Sequence, residues 1–185
     1  MRPQFLLILA VLSPLFAANP VLDRVDLKLN LIDSGRARRG SVIVFTPAEM
    51  NAWARSRVPQ MYQGIRDPNI LLGMGTATGS ATIDFLKMRQ GEGIATNPLI
   101  AKLIEGERPL KVSVQLDSAR GRATAKLTRL EISGVAVTGA PLDFLVNQFF
   151  LKLFPDAKVN QPFELRDNID RIELRPDGVR VTIKK

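Results

Sequence analysis

The stretch LKVSVQLDSARGRATAKL, residues 110–127, decides the fold class. Leu110, Val112, Val114 and Leu116 alternate with Lys111, Ser113, Gln115 and Asp117, the period of two that a half-buried strand requires. Ser118-Ala119-Arg120-Gly121 turns the chain, and Ala123, Ala125 and Leu127 return, followed by Ile132. Two alternating runs about a glycine-containing turn predict an antiparallel hairpin. The same grammar recurs at the end of the chain, where Ile172 and Leu174 face Val179, Val181 and Ile183 across Pro176-Asp177-Gly178.

Upstream, Ala77, Ala81, Ile83 and Phe85 alternate with Thr76, Thr78, Thr82 and Asp84 and predict a strand within 69–85. Its glycines and alanines leave one face nearly bare, which lets something else approach closely. A packed helix is the ordinary occupant; a bound chain is the other. Further upstream, Val25, Leu27, Leu29 and Leu31 alternate with Asp26, Lys28 and Asn30, which reads as a strand. Asp33-Ser34-Gly35 reads as a turn and Ser41 to Phe45 as a second strand, so the opening is expected to be a hairpin.

Three segments break this pattern. Thr46-Pro47-Ala48-Glu49 combines a capping threonine, a proline at the first helical position and a glutamate that completes a capping box. Met50, Trp53, Ala54, Val58 and Met61 then share one helical face, and Pro59 should kink or end the helix. Asn97-Pro98 starts a short helix running from Leu99 to about Ile104. Pro141 to Phe154 reads as a longer one. Leu142, Leu145, Val146, Phe149, Phe150 and Leu153 fill one broad face, while Phe144 and Leu151 lie together on the other. One sheet cannot cover both, so the second stripe must meet a second layer of the fold, a ligand, a partner or a membrane.

The chain has 185 residues, 45% hydrophobic and 24% charged, which suits one globular domain with a real core. Residues 1–18 have the order of a secretory signal: Arg2, an apolar run from Phe5, the breaker Pro14, then Ala17-Ala18 for cleavage. An uncleaved anchor is the alternative. Residues 19–185 form a single domain. With no Cys, an exported domain of this size holds together without disulfides, and neither a thiolate metal site nor a lipoprotein anchor can form. The formal charge of +8 draws such a protein towards anionic membrane surfaces, acidic envelope polymers or nucleic acid. The charges are scattered, the densest group being Arg36, Arg38 and Arg39.

The absence of His removes the usual neutral-pH base and the commonest metal ligand. No Gly-x-Ser-x-Gly elbow is present. Gly73-x-Gly75-x-x-x-Gly79 misses the phosphate-loop spacing and runs into a strand. Asp167-Asn168-x-Asp170 lacks the glycine and terminal glutamate of a calcium loop. Nothing in the spacing pairs Asp84 with Glu92 or Asp117 for glycosidase chemistry. Nucleic-acid binding is not expected, because the Phe residues lie in apolar runs and not beside basic ones. No catalytic residue, metal or cofactor is therefore assigned.

Two segments resemble a known family. Phe45-Thr46-Pro47-Ala48-Glu49-Met50-Asn51-Ala52 resembles the Thr-x-x-Glu opening of the first helix in small bacterial envelope proteins similar to tubular lipid-binding (TULIP-like) domains. Ile132-Ser133-Gly134-Val135-Ala136-Val137, followed by Pro141-Leu142, the apolar helix and the final strands, resembles their tail. The resemblance implies an α+β fold in which a mainly antiparallel, highly curved sheet wraps one or two long helices and leaves an apolar groove. Met50, Trp53, Ala54 and Met61 would line it from the first helix, and Phe144, Leu145, Phe149 and Leu151 from the second. The expected function is non-catalytic binding of a lipid or other apolar small molecule in the periplasm or outside the cell. The alternative is an interaction module that binds a partner protein or acidic envelope polymer through its basic surface.

Overall fold

The computed structural model describes residues 19–88, 101–102, 104–147 and 160–185. The expected signal at 1–18, the start of the helix expected from Leu99, and Phe149 and Leu151 lie outside these.

The described chain is α+β, and every pairing between its strands is antiparallel. Residues Pro20–Asp33 form helix α1, followed by strand β1 (Val42–Phe45) and helix α2 (Pro47–Met61). Strands β2 (Ile65–Leu72) and β3 (Thr76–Asp84) lead into a single helical turn, α3 (Phe85–Met88). The long hairpin follows as β4 (Glu107–Ala119) and β5 (Arg122–Ile132), with a short β6 (Val135–Ala136). Helix α4 (Ala140–Leu145), β7 (Pro162–Glu164) and the closing pair β8 (Ile169–Arg175) and β9 (Gly178–Ile183) complete it.

These strands make two sheets. One has the order β2-β3-β4-β5-β6, with β7 also on β5; the other is β1-β9-β8. Their seam is held by backbone groups on the free edge of β8. Ser118 Oγ donates to Ile172 O at 2.6 Å and accepts from Ile172 N at 2.7 Å. Gly75 N donates to Leu174 O, and Gly121 N to Asp170 O. At the opposite edge the Asn51 side chain of α2 closes on β2, accepting from Ile70 N at 2.7 Å and donating to Ile70 O at 2.9 Å. An edge so covered is withdrawn from pairing with other chains.

Both hairpins predicted from alternation form, in the register Val112↔Leu130 and Val114↔Leu127 in one and Ile172↔Val181 and Leu174↔Val179 in the other. The expected opening hairpin does not. Residues 25–31 are helical, and β1 pairs instead with β9. Asn19 caps α1 by accepting from Val21 N, and Pro20 takes the first turn, where its missing N–H costs nothing. Val25 and Ile32 are buried and Leu29 packs beside them, a spacing of four and three, while Leu27 is 62% exposed. The alternation at 25–31 was the chance overlap of this stripe with the exposed Leu27 and the half-buried Leu31.

The helices are shorter than the expected wrapped core. α1 has 14 residues and α2 has 15, their apolar residues pack with strand residues in one core, and no long helix wrapped by a sheet is present among the described residues. Pro59 lies inside α2, close to its end. It removes one bond in the final turn, and the helix ends two residues later, where Tyr62 N donates to Val58 O.

Gly178 illustrates how tightly β9 seats on β1. Its φ is +148°, and a Cβ placed there would meet Phe45 O at 2.4 Å. Gly178→Ala is therefore expected to destabilise by about 2 kcal/mol or more, read as a fall in the urea midpoint at unchanged slope.

Candidate functional site

The six-stranded sheet has one apolar face. On β3 it carries Ala77, Gly79, Ala81 and Ile83, and alternation puts Thr76, Thr78, Ser80 and Thr82 on the other side. In register with them stand Ile70 and Leu72 of β2, Leu110, Val112 and Val114 of β4, and Leu127, Leu130 and Ile132 of β5.

Two separate cores sit on this face. The first gathers Val25, Ile32, Phe45, Val179, Val181 and Ile183, and Ala77 packs against it. The second gathers Ile83, Phe85, Ile104, Ile132, Val137 and Leu145, and Ala81 packs against that. Gly79 lies between, on the same face of the same strand. A Cβ built on Gly79 meets nothing within 4 Å among the described residues, and its φ is an ordinary one for any residue. From Ala77 to Ala81 the strand spans about 13 Å. Among the described residues, a strip floored by Gly79, Val112 and Val114, which join neither core, lies between the two.

Of the expected ligand-lining residues, Phe149 and Leu151 lie outside the described residues, and the others divide between the two cores or stand apart from both. Met50 and Trp53 pack against the first core, and Ala54 is buried on the same helix. Met61 is 58% exposed at the end of α2 and joins neither core. Leu145 is buried in the second core and Phe144 packs partly against it. Phe144 was expected on a second stripe apart from Leu142 and Leu145; it instead packs against the same core as both of them. The α2 residues thus belong to one core and the α4 residues to the other, and both cores include residues of the large sheet. The floor of the strip was visible as alternation in the sequence. What alternation alone lacked was which strands neighbour each other.

The helices of the first core share a buried ion pair that the sequence reading treated only as a cap. Glu49, 4% exposed, accepts from Lys28 Nζ on both carboxylate oxygens at 2.7 Å. It also accepts from Thr46 N at 2.9 Å, while Thr46 Oγ1 accepts from Glu49 N. Lys28 spends its third proton on Val44 O at 2.7 Å and stands 5.5 Å over the Phe45 ring. Burial by itself pushes the Glu49 carboxyl up; the Lys28 ammonium and the Thr46 amide outweigh it and hold the carboxyl below its ordinary range. Both carboxylate oxygens are engaged within the fold, and the pair fastens α1 to α2.

Among the described residues, no group of three or more His, Cys, Asp or Glu side chains is placed to hold a metal ion. No described helix is long and apolar enough to cross a membrane. Comparison with family models, with curated protein sequences and with solved structures finds no match.

Proposed function

We propose that this chain is a non-catalytic, exported envelope protein that holds an acyl chain or similar apolar ligand along the strip between its two cores. The observation that supports the reading is Gly79: a glycine facing the apolar side of a sheet, between two packed cores, with no described residue within 4 Å of where its Cβ would stand. The resemblance of the Thr46–Glu49 helix opening and the Gly134–Pro141 tail to tubular lipid-binding domains supports the same reading. In that form the sheet would curl its apolar face about the cargo.

The energetics set the class of ligand. Each methylene moved from water to the strip contributes about 0.8 kcal/mol. Ten such groups give roughly 8 kcal/mol before association costs, so a long chain binds usefully where a short one does not. Each added pair of methylenes is expected to tighten binding by roughly an order of magnitude until the strip is full. Native mass spectrometry of the exported protein should find a co-purifying acyl mass, and a fluorescent fatty acid should exchange with it. Protein free of ligand that also takes up no fatty acid of any length would exclude the proposal.

A further inference from the structure

The strip leaves the basic character of the chain unexplained, and the fold gathers part of it at one end. The loop before β1 ends in Arg38-Arg39-Gly40. Gly40 N donates to Lys184 O at 3.1 Å, and Ile183 N donates to Ser41 O, which lays this loop against the segment after β9. The β4–β5 turn, Arg120-Gly121-Arg122, arrives at the same place. Gly121 N bonds Asp170 O and Gly121 O accepts from Leu165 N. A Cβ on Gly121 would stand 3.1 Å from Lys184 Nζ, and one on Gly40 would stand 3.7 Å from Lys185 Cγ. Three segments far apart in sequence thus bring Arg38, Arg39, Arg120, Arg122, Lys184 and Lys185 to one end of the molecule.

All six are exposed, and none is ion-paired with another described residue. Of the carboxylates at this end, Asp33 pairs with Arg166 and Asp170 with Arg171 at 3.9 Å, while Asp167, beside the Asn168 that bonds Lys184, is in no ion pair with another described residue. Glu164 stands opposite Arg122 in the β5–β7 register without reaching ion-pair distance. Val42, 50% exposed, begins β1 one residue beyond Ser41 and pairs with Thr182, so an apolar side chain sits at the border of the charges.

We infer that this end of the molecule docks on the anionic headgroups of a lipid bilayer, with Val42 at the interface. A planar array of negative headgroups matches charges carried on a turn, a loop and a chain segment. Basic residues near such a surface contribute additively. A nucleic-acid strand would call for aromatic platforms between the charges. The chain's one Trp packs in the first core and its one Tyr follows the end of α2. The inference does not depend on the apolar cargo.

The test is co-sedimentation of the exported protein with vesicles of phosphatidylcholine containing three parts in ten phosphatidylglycerol, compared with phosphatidylcholine alone. Binding is expected only to the anionic vesicles, and it should fall steeply as salt rises from about 50 to 300 mM. Arg120→Asn/Arg122→Ser and Lys184→Ser/Lys185→Ser should each weaken it on the order of tenfold or more; asparagine is chosen at 120 because φ there is +51°. Lys111→Ser/Lys126→Ser, an equal charge loss on the polar face of the large sheet, should change it less than threefold. Equal losses in all three variants, or equal binding to neutral vesicles, would overturn the inference. So would salt-sensitive capture by polyphosphate with no capture by vesicles. Fatty-acid exchange measured on the same variants should be unchanged, so a failure of docking and a failure of cargo binding are read separately.

Discussion

Glu49→Ala is expected to lower the unfolding free energy by about 3 kcal/mol, the largest effect of any single side chain in the α1–α2 contact. Two costs combine. The Thr46 amide loses its half of the capping box, worth about 1 kcal/mol. Lys28 keeps only Val44 O after losing both carboxylate oxygens. The remainder stays near the lower end for a broken buried pair because the Lys28 side chain is 26% exposed and can recruit water. Arg24 does not rescue it, since its contact with Glu49 is long, at 3.7 Å, and largely solvated. Replacing both members, as Lys28→Met/Glu49→Leu, should recover much of the loss, because neither charge of the pair is then left without its partner. A urea-denaturation cycle in which the single change costs under about 1 kcal/mol, or in which the double variant is as unstable as Glu49→Ala, would contradict this account.

The same pair dictates an acid limb. The folded carboxyl titrates below its ordinary value of 4.5. Its contribution is therefore complete above about that pH and is lost as pH falls through the lower, folded value. Glu49→Gln should flatten this limb: wild type and variant should converge at low pH and separate above pH 4.5. A variant whose stability falls in acid as steeply as the wild type would place the acid sensitivity elsewhere.

What the sequence made legible was governed by how far each signal reaches. The capping box at Thr46–Glu49 acts within one turn, and both hairpins declare themselves within a dozen residues, so these were readable. β2 was not. Asp67, at φ +50°, and Pro68 form a bulge between Arg66 and Asn69 that breaks the alternation on which a strand reading depends. α1 was misread because its apolar stripe happens to include alternating leucines, and its cap, Asn19-Pro20, falls where a signal peptide was expected to end. Lys28, read as the outward side of a strand, meets Glu49 only once both stand on helices. The basic end was invisible for a similar reason. Arg38, Arg120 and Lys184 are neighbours only through the seam between the sheets, so in the sequence they look dispersed. The site suffered the same limit: Ala77, Gly79 and Ala81 announced a bare strand, but not that two cores would stop on either side of it.

That strip makes an expectation with opposite signs for stability and for binding. Gly79→Phe should leave the fold as stable as wild type or stabilise it by up to about 1 kcal/mol. Glycine within a strand costs conformational entropy and contributes no side chain, and nothing described lies within 4 Å of a Cβ there. Neighbouring Val112 and Ile70 lie in register and would gain a contact across the pleat. The ring would occupy the strip, displacing several methylenes' worth of ligand contact. At about 0.8 kcal/mol for each, losing three weakens acyl-chain binding roughly 50-fold. Gly79→Ala, adding a single carbon, should weaken it only a few-fold and so give a graded series with Gly79→Phe. The competing arrangement, in which the strip is filled by the protein itself, predicts the reverse: inserting a ring into a packed interior forces rotamers and backbone aside and costs 1–3 kcal/mol or so. Thermal unfolding and fatty-acid exchange on the same two variants therefore separate the cases. Loss of uptake with the midpoint held or raised identifies the strip as the binding surface, whereas a lowered midpoint, or uptake untouched by the ring, rules it out.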